Sequence, residues 1–286
     1  MAEQGRVVLV TGASAGIGRA CADRLAGAGW AVTGASRRGT SSGPWAGLVM
    51  NVDDDQAVTA GVRGILAQHG RIDALVAAAG WGIAGAVEHT TVAEAKAQVE
   101  TNFWGCVRTV QAVLGPMRVQ GSERGGGRIV LLSSIGGVLG IPFQAFYSAS
   151  KFALEGLAES LAYEVAPFGI DVTLVQPGNV STDFTASRRL AGMDVTAGGE
   201  GVAGAAAGDP VYGAGVAKAI GVMERDELSG ARPDDIAVAV RRVLDAKRPP
   251  RRVSAGKASE RVAILAKRIM PYRMFEAGAK GSLGVG

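Results

Sequence analysis

An α/β fold is what the sequence predicts: a doubly wound parallel sheet of about seven strands in a single domain. Three observations carry that expectation. Short runs of Val, Ile, Leu and Ala alternate with longer helix-like stretches in a β-α-β-α order. The runs are apolar almost throughout, as in strands covered on both faces, whereas a half-exposed sheet would alternate. Glycine is abundant, 43 of 286 residues, without a Gly-X-Y period, which marks tight turns and excludes a collagen-like chain. Right-handed crossovers through the intervening helices then make the strands parallel.

Taken in order, strands are expected at 6–10, 31–36, 47–50, 72–77, 128–132 and 170–175, with a seventh at 252–254. Helices are expected at 17–28, 54–69, 92–119, 147–166 and 233–246. Asp53 and Pro233 read as entry signals for two of them. Residues 1–256 contain no repeat and no linker, so they form one domain. Two segments break the rhythm. Residues 183–224 are rich in Gly and Ala, and loops of that length are either lids or disordered. Such a composition costs much backbone entropy to order, so a segment mobile without ligand and closed over it is expected, with Phe184, Val211 and Tyr212 as apolar contacts. Residues 257–286 form a basic, partly helical tail with Ile264, Leu265, Ile269 and Met270 on one side, packed over that lid or a second subunit.

Composition narrows the class. A chain of this length buries a sizeable core without staples. Two cysteines, Cys21 and Cys106, and two histidines, His69 and His89, exclude a disulfide framework and a Cys/His zinc cluster. No metal is expected. The opening residues lack a signal-peptide pattern, and no run approaches the ~18 apolar residues of a membrane span. A soluble cytoplasmic protein is expected. The net charge of +4 hides an asymmetry, because from Arg241 onward there are 12 basic and 3 acidic residues. A basic tail hints at an anionic ligand, a membrane surface or nucleic acid, but an exposed terminal helix kept soluble by its charges is the simpler reading. No nucleic-acid partner is expected.

The first strand runs into Thr11-Gly12-Ala13-Ser14-Ala15-Gly16-Ile17-Gly18, which opens the first helix. In that context Gly12 permits the tight turn, Gly16 lets backbone approach a pyrophosphate, and Gly18 lets the helix pack closely on the sheet. The helix N-terminus supplies free N–H donors for phosphates. The spacing is G-x-x-x-G-x-G, unlike the G-x-G-x-x-G of most dinucleotide domains.

With this loop, and with three further motifs in matching order, residues 5–256 resemble the short-chain dehydrogenase/reductase family. The run from Phe143 through Tyr147-Ser148-Ala149-Ser150-Lys151 is similar to 17β-hydroxysteroid and retinol dehydrogenases in particular. The resemblance implies a Rossmann-type fold and a cofactor loop in which Gly12, Ser14, Gly16, Ile17 and Gly18 touch a nicotinamide dinucleotide. Where an acidic residue would grip the ribose of NAD, this chain has Ser36-Arg37-Arg38. A guanidinium can hold a 2′-phosphate that a carboxylate would repel, and Ser36 can donate to it, so NADP(H) is expected. Asn51-Val52 replaces the family's Asp-Val, and the Asn carbonyl can still accept from the adenine amino group. Ala77-Ala78-Ala79-Gly80 replaces Asn-Asn-Ala-Gly, which leaves room for adenosine but removes side chains that brace the sheet centre.

Tyr147 and Lys151 lie at i and i+4, on one face of a helix. A free tyrosine has a pKa near ~10, and an adjacent cation favours its phenolate, which brings it toward working range. The family implies further that Lys151 bonds the nicotinamide ribose, that Ser134 binds the substrate oxygen, and that Asn102 holds a water leading from the lysine to solvent. In Pro177-Gly178-Asn179-Val180-Ser181-Thr182 the family implies that Val180 and Thr182 hold the carboxamide and fix the ring face, usually for pro-S hydride transfer. The expected activity is NADP(H)-dependent reduction of a ketone, or its reverse, on a bulky apolar steroid-, retinoid- or polyketide-like substrate, with Phe143 and Phe184 at the site. Alternatives are a 3-oxoacyl-carrier-protein-type reductase and a non-catalytic dinucleotide sensor. Phe103, Trp104, Val107, Phe152, Leu157 and Leu161 are too many apolar groups for two solvent-facing helices, and a homodimer or homotetramer is expected.

Overall fold

The near-continuous apolar runs do become strands buried on both faces. The computed structural model describes residues 5–124, 126–182, 184, 188–191, 209–271 and 273–276. Seven strands form one parallel sheet: β1 Val7–Thr11, β2 Ala31–Ser36, β3 Ala46–Val49, β4 Ala74–Ala77, β6 Arg128–Leu132, β7 Asp171–Pro177 and β9 Arg252–Ala255. Their spatial order is β3-β2-β1-β4-β6-β7-β9. The chain winds outward from β1 to β3, then returns to β4 on the other side of β1. That reversal opens a crevice beyond the carboxyl ends of β1 and β4, the place where open α/β sheets take ligands.

Strand geometry sends alternate side chains to opposite faces, and the core divides accordingly. Val7 and Leu9 of β1 pack with Val113, Met117 and Leu154, which come from α4 (Gly105–Arg124) and α5 (Ala145–Val165). Val8 and Val10 pack on the other face with Cys21, Leu25, Ile236 and Val240, from α1 (Gly16–Ala26) and α7 (Pro233–Asp245). Leu161, expected at a subunit interface, belongs instead to the core on the α4–α5 face, at 5% exposure.

Several expected boundaries change. The second helix, α2 (Asp55–His69), is capped not by Asp53 but by Asp54, and the Asp54 carboxylate accepts the N–H groups of Gln56 and Ala57. The single helix expected at 92–119 is α3 (Val92–Val99), a π-helical turn at Glu100–Trp104, and then α4. The segment expected as one long loop from 183 contains two elements. Arg189–Leu190 (β8) pairs with Ile83–Ala84 (β5) as a small second sheet, and Gly213–Leu228 is a helix, α6. Its alanines, Met223, Leu228 and long charged residues are good enough helix formers to outweigh the glycines. Residues 183, 185–187 and 192–208 of the expected lid lie outside the described residues. The tail forms α8 (Ala258–Ile269). Of its expected apolar stripe only Ile264 is buried, while Leu265, Ile269 and Met270 are exposed.

Candidate active site

A cavity of about 840 Å³ runs along the carboxyl edge of the sheet. One end is built from backbone. Gly12 turns the chain out of β1 at φ +70°, and a Cβ there would sit 2.8 Å from Ala79. A Cβ on Gly18 would lie 2.3 Å from the Gly12 carbonyl oxygen, so close packing of α1 requires glycine. Helix α1 starts after Ala15 with no side-chain cap and no acidic residue in its first turn. Its first N–H groups therefore remain open at the cavity, where phosphate would satisfy them. The absent polar braces after β4 are replaced by Thr11, whose hydroxyl accepts from Ala78 N at 3.1 Å and Ala79 N at 3.2 Å.

The expected cofactor residues converge on this wall: Gly12, Ser14, Gly16, Ile17, Gly18, Ser36, Arg37, Asn51, Val52, Ala79, Gly80, Pro177, Gly178, Val180 and Thr182 all line it. Arg37 and Arg38 are exposed at the rim. The Ser36 hydroxyl accepts from Gly39 N at 3.0 Å, which shapes the turn that presents both arginines. Open donors at α1 and cations beyond β2 fit an anionic dinucleotide.

Ser134, Tyr147 and Lys151 meet midway along the cavity. Ser134 caps the turn after β6 by accepting from Gly136 N, and it also hydrogen-bonds Tyr147. Lys151, only 6% exposed, donates from Nζ to the Leu132 carbonyl at 2.8 Å and lies 5.8 Å from the Tyr147 ring centroid. The electrostatics differ from expectation. Burial pushes the Tyr147 phenol above its ordinary value; the Ser134 hydrogen bond opposes this, Glu227 adds to it and Arg188 counteracts it. Burial also pulls Lys151 down to about 8, against smaller opposing effects of Cys106 and Glu155. Raised above its ordinary value mainly by burial, Tyr147 is a protonated donor at neutral pH.

Asn102 stands behind the cavity, in the π-helical turn. Its Oδ1 accepts from Trp81 N, and its Nδ2 donates to Trp81 O and Ser150 Oγ, all at 3.0–3.1 Å. Its side chain thus holds together the segment after β4 and the helix bearing Tyr147. Phe143 does not line the cavity. It adopts φ +58°, and its ring lies against Gly215 of α6. Phe184 does line it, 5.7 Å from the Tyr147 ring. Val211 is exposed and Tyr212 donates to Glu88, so neither contacts the cavity as expected.

The model of the short chain dehydrogenase family matches residues 6–191. The chain belongs to that family. This short-chain dehydrogenase is 37% identical over 274 residues to the 3-ketodihydrosphingosine reductase of Bacteroides thetaiotaomicron, covering 96% of each chain. It is 36% identical over 197 residues to human 17-beta-hydroxysteroid dehydrogenase type 1, covering 62% of this chain and 58% of that protein. A short-chain dehydrogenase from Streptomyces avermitilis, solved as a crystal structure, superposes with a TM-score of 0.78 at 32% identity, over 98% of this chain and 99% of that one.

Sequence reasoning missed three polar groups that hold the dehydrogenase site together. Gln98, fully buried, binds Ile83 N and Trp81 O from the same helix as Asn102. Their i, i+4 spacing, which puts both amides on one helix face, was the available signal. Glu155 accepts from Ser133, Gln176 and Arg252, tying β6, β7 and β9 together. Glu260 of α8 accepts from Asn179 N at 2.7 Å, from Asn179 Nδ2 and from Lys257 N. A Cβ on Gly178 would fall 1.9 Å from its Oε2. Nothing local in the sequence links the tail to Pro177-Gly178.

Proposed function

We propose that this protein is an NADP(H)-dependent ketoreductase that interconverts a ketone and a secondary alcohol on a bulky, largely apolar substrate. The observation that carries the reading is Tyr147, hydrogen-bonded to Ser134, in a cavity walled also by Leu139, Ile141, Phe184, Val222, Met223 and Met270. Ser134 and Tyr147 together hold the carbonyl oxygen, and Tyr147 gives it a proton as negative charge develops there. Lys151 is placed beside them to bind the nicotinamide ribose, and Asn102 positions rather than reacts. When bound, the dinucleotide supplies or accepts the hydride. Arg37 and Arg38 beyond β2 support the phosphorylated form of the cofactor.

The full-length similarity to a 3-ketodihydrosphingosine reductase supports a long-chain ketone bearing an amino alcohol. Trp104, Phe152 and Tyr163 remain exposed along the α4–α5 face and support a homodimer or homotetramer. No described helix is long and apolar enough to cross a membrane. Two free, buried cysteines fit a reducing, cytoplasmic setting. The test is a spectrophotometric screen of NADPH and NADH oxidation over 3-ketodihydrosphingosine, steroid ketones, retinal and a 3-oxoacyl carrier substrate. Turnover of the long-chain ketone, faster with NADPH, is expected. Absence of turnover with every ketone removes the reading.

A further inference from the structure

Glu227, in the cavity wall, belongs to an ion pair that hydride chemistry does not need. Arg188, just before β8, donates from Nη2 to Glu227 Oε1 in the last turn of α6, and the two side chains are only 2% and 14% exposed. Arg188 Nε, Arg188 Nη1 and Glu227 Oε2 are buried without a hydrogen-bond partner among the described residues. A buried pair kept for the fold alone closes its spare donors and acceptors on its neighbours. The Glu155–Arg252 pair does so, since Glu155 also takes Ser133 and Gln176. Arg188–Glu227 leaves two donors and one acceptor open.

Glu227 lines the cavity where a substrate head would lie, and Arg188 stands behind it. Both charges of the pair act on the Tyr147 phenol, which marks the position of the reacting oxygen. Phe184 and Arg188 both pack toward Gly82, beside that phenol. Glu227 and its neighbour Asp226 line the cavity, and the adjoining walls are apolar. With Arg188 neutralised by Glu227, the exposed Asp226 leaves this end negative, which favours a cationic head over a carboxylate or phosphate.

We propose that Glu227, held by Arg188, binds the polar head of the ketone substrate through an ammonium on the carbon next to the carbonyl. Glu227 accepts from the ammonium at the cavity wall, and Arg188 behind it keeps the carboxylate charged and in place. The terminal torsion of a glutamate is soft, so Oε2 turns into the cavity without moving α6. The alkyl chain then follows the apolar wall toward Met270. This assignment rests on the ketoreductase reading above and adds which head that site selects.

The experiment compares kcat/KM for 3-ketodihydrosphingosine with that for the plain alkyl ketone of equal chain length. It uses the wild type, Glu227→Gln, and a double variant Arg188→Met with Glu227→Leu that removes both charges together. The preference for the amino-alcohol ketone should fall by roughly one to two decades in Glu227→Gln, the weight of one charge-assisted hydrogen bond. The effect should appear in KM more than in kcat, and the double variant should prefer the plain ketone. An unchanged ratio in both variants overturns the proposal and leaves the pair structural. Binding gives a second readout, because dihydrosphingosine should raise the melting temperature of the wild type with NADPH but not that of Glu227→Gln. Equal thermal shifts also overturn it. If the wild type reduces neither ketone, the ketoreductase reading fails, and the thermal shift still decides whether the pair binds the head.

Discussion

The two ends of the cavity are made by different means. The cofactor end is mostly backbone, set by Gly12, Gly16 and Gly18 within one turn and by an uncapped helix start. The substrate end is made of side chains from Phe184, α6 and α8, far apart in the chain. A backbone site is specified by a short stretch and tolerates few residue types. A side-chain site depends on how distant segments pack, and its chemistry can change while the fold stays the same.

The largest expected effect falls where the two ends meet. Tyr147→Phe should lower kcat at least ~10²-fold while leaving NADPH affinity intact, by single-turnover kinetics and cofactor titration. A near-normal kcat would mean that another group supplies the proton. At the cofactor end, Arg37→Ala should weaken NADPH relative to NADH by ~1.5–3 kcal/mol, one charge-assisted hydrogen bond. Equal losses for both cofactors would place Arg37 away from the 2′-phosphate and blur the distinction between the ends.

At the substrate end, Glu260→Ala should release α8 from Asn179, costing about 1–3 kcal/mol of stability and raising KM for a long-chain substrate. A KM unchanged for that substrate would show that the tail only caps the fold. The smallest effect expected is a gain. Lys151 is held at about 8 in the folded chain against an ordinary value of 10.5, so below pH 8 folding must bury a charge. Stability should therefore rise between pH 8 and 10.5, where the unfolded chain binds the extra proton. Lys151→Met should stabilise the cofactor-free protein at neutral pH by on the order of 1 kcal/mol, while turnover collapses. A melting temperature that drops instead would show that the Leu132 hydrogen bond outweighs desolvation.

The same contrast explains what could be read in advance. The strands were legible because β1, β4 and β6 are apolar on both faces, and Tyr147 and Lys151 because helical spacing alone brings them together. Helix α6 was missed because glycine-rich flanks masked its periodicity. The π-helical turn at Glu100–Trp104 leaves no mark in a hydrophobic pattern, yet it aims Asn102 at Trp81. The expected fall in the Tyr147 pKa failed for a related reason: a neighbouring charge can be counted along a helix, but desolvation depends on everything packed around it.

By itself, then, the sequence determined the parallel sheet, the dinucleotide turn and the Tyr147–Lys151 pair, since each depends on local spacing or on the period of apolar residues, whereas Ser134 was supplied by the family resemblance. Tertiary structure alone decided that Glu260 reaches Gly178, that Arg188 finds Glu227, and that Phe184 faces Tyr147 while Phe143 does not. Those contacts join residues up to 82 positions apart, from Gly178 to Glu260, and pairing at that range is set by how whole elements pack, which no local pattern encodes.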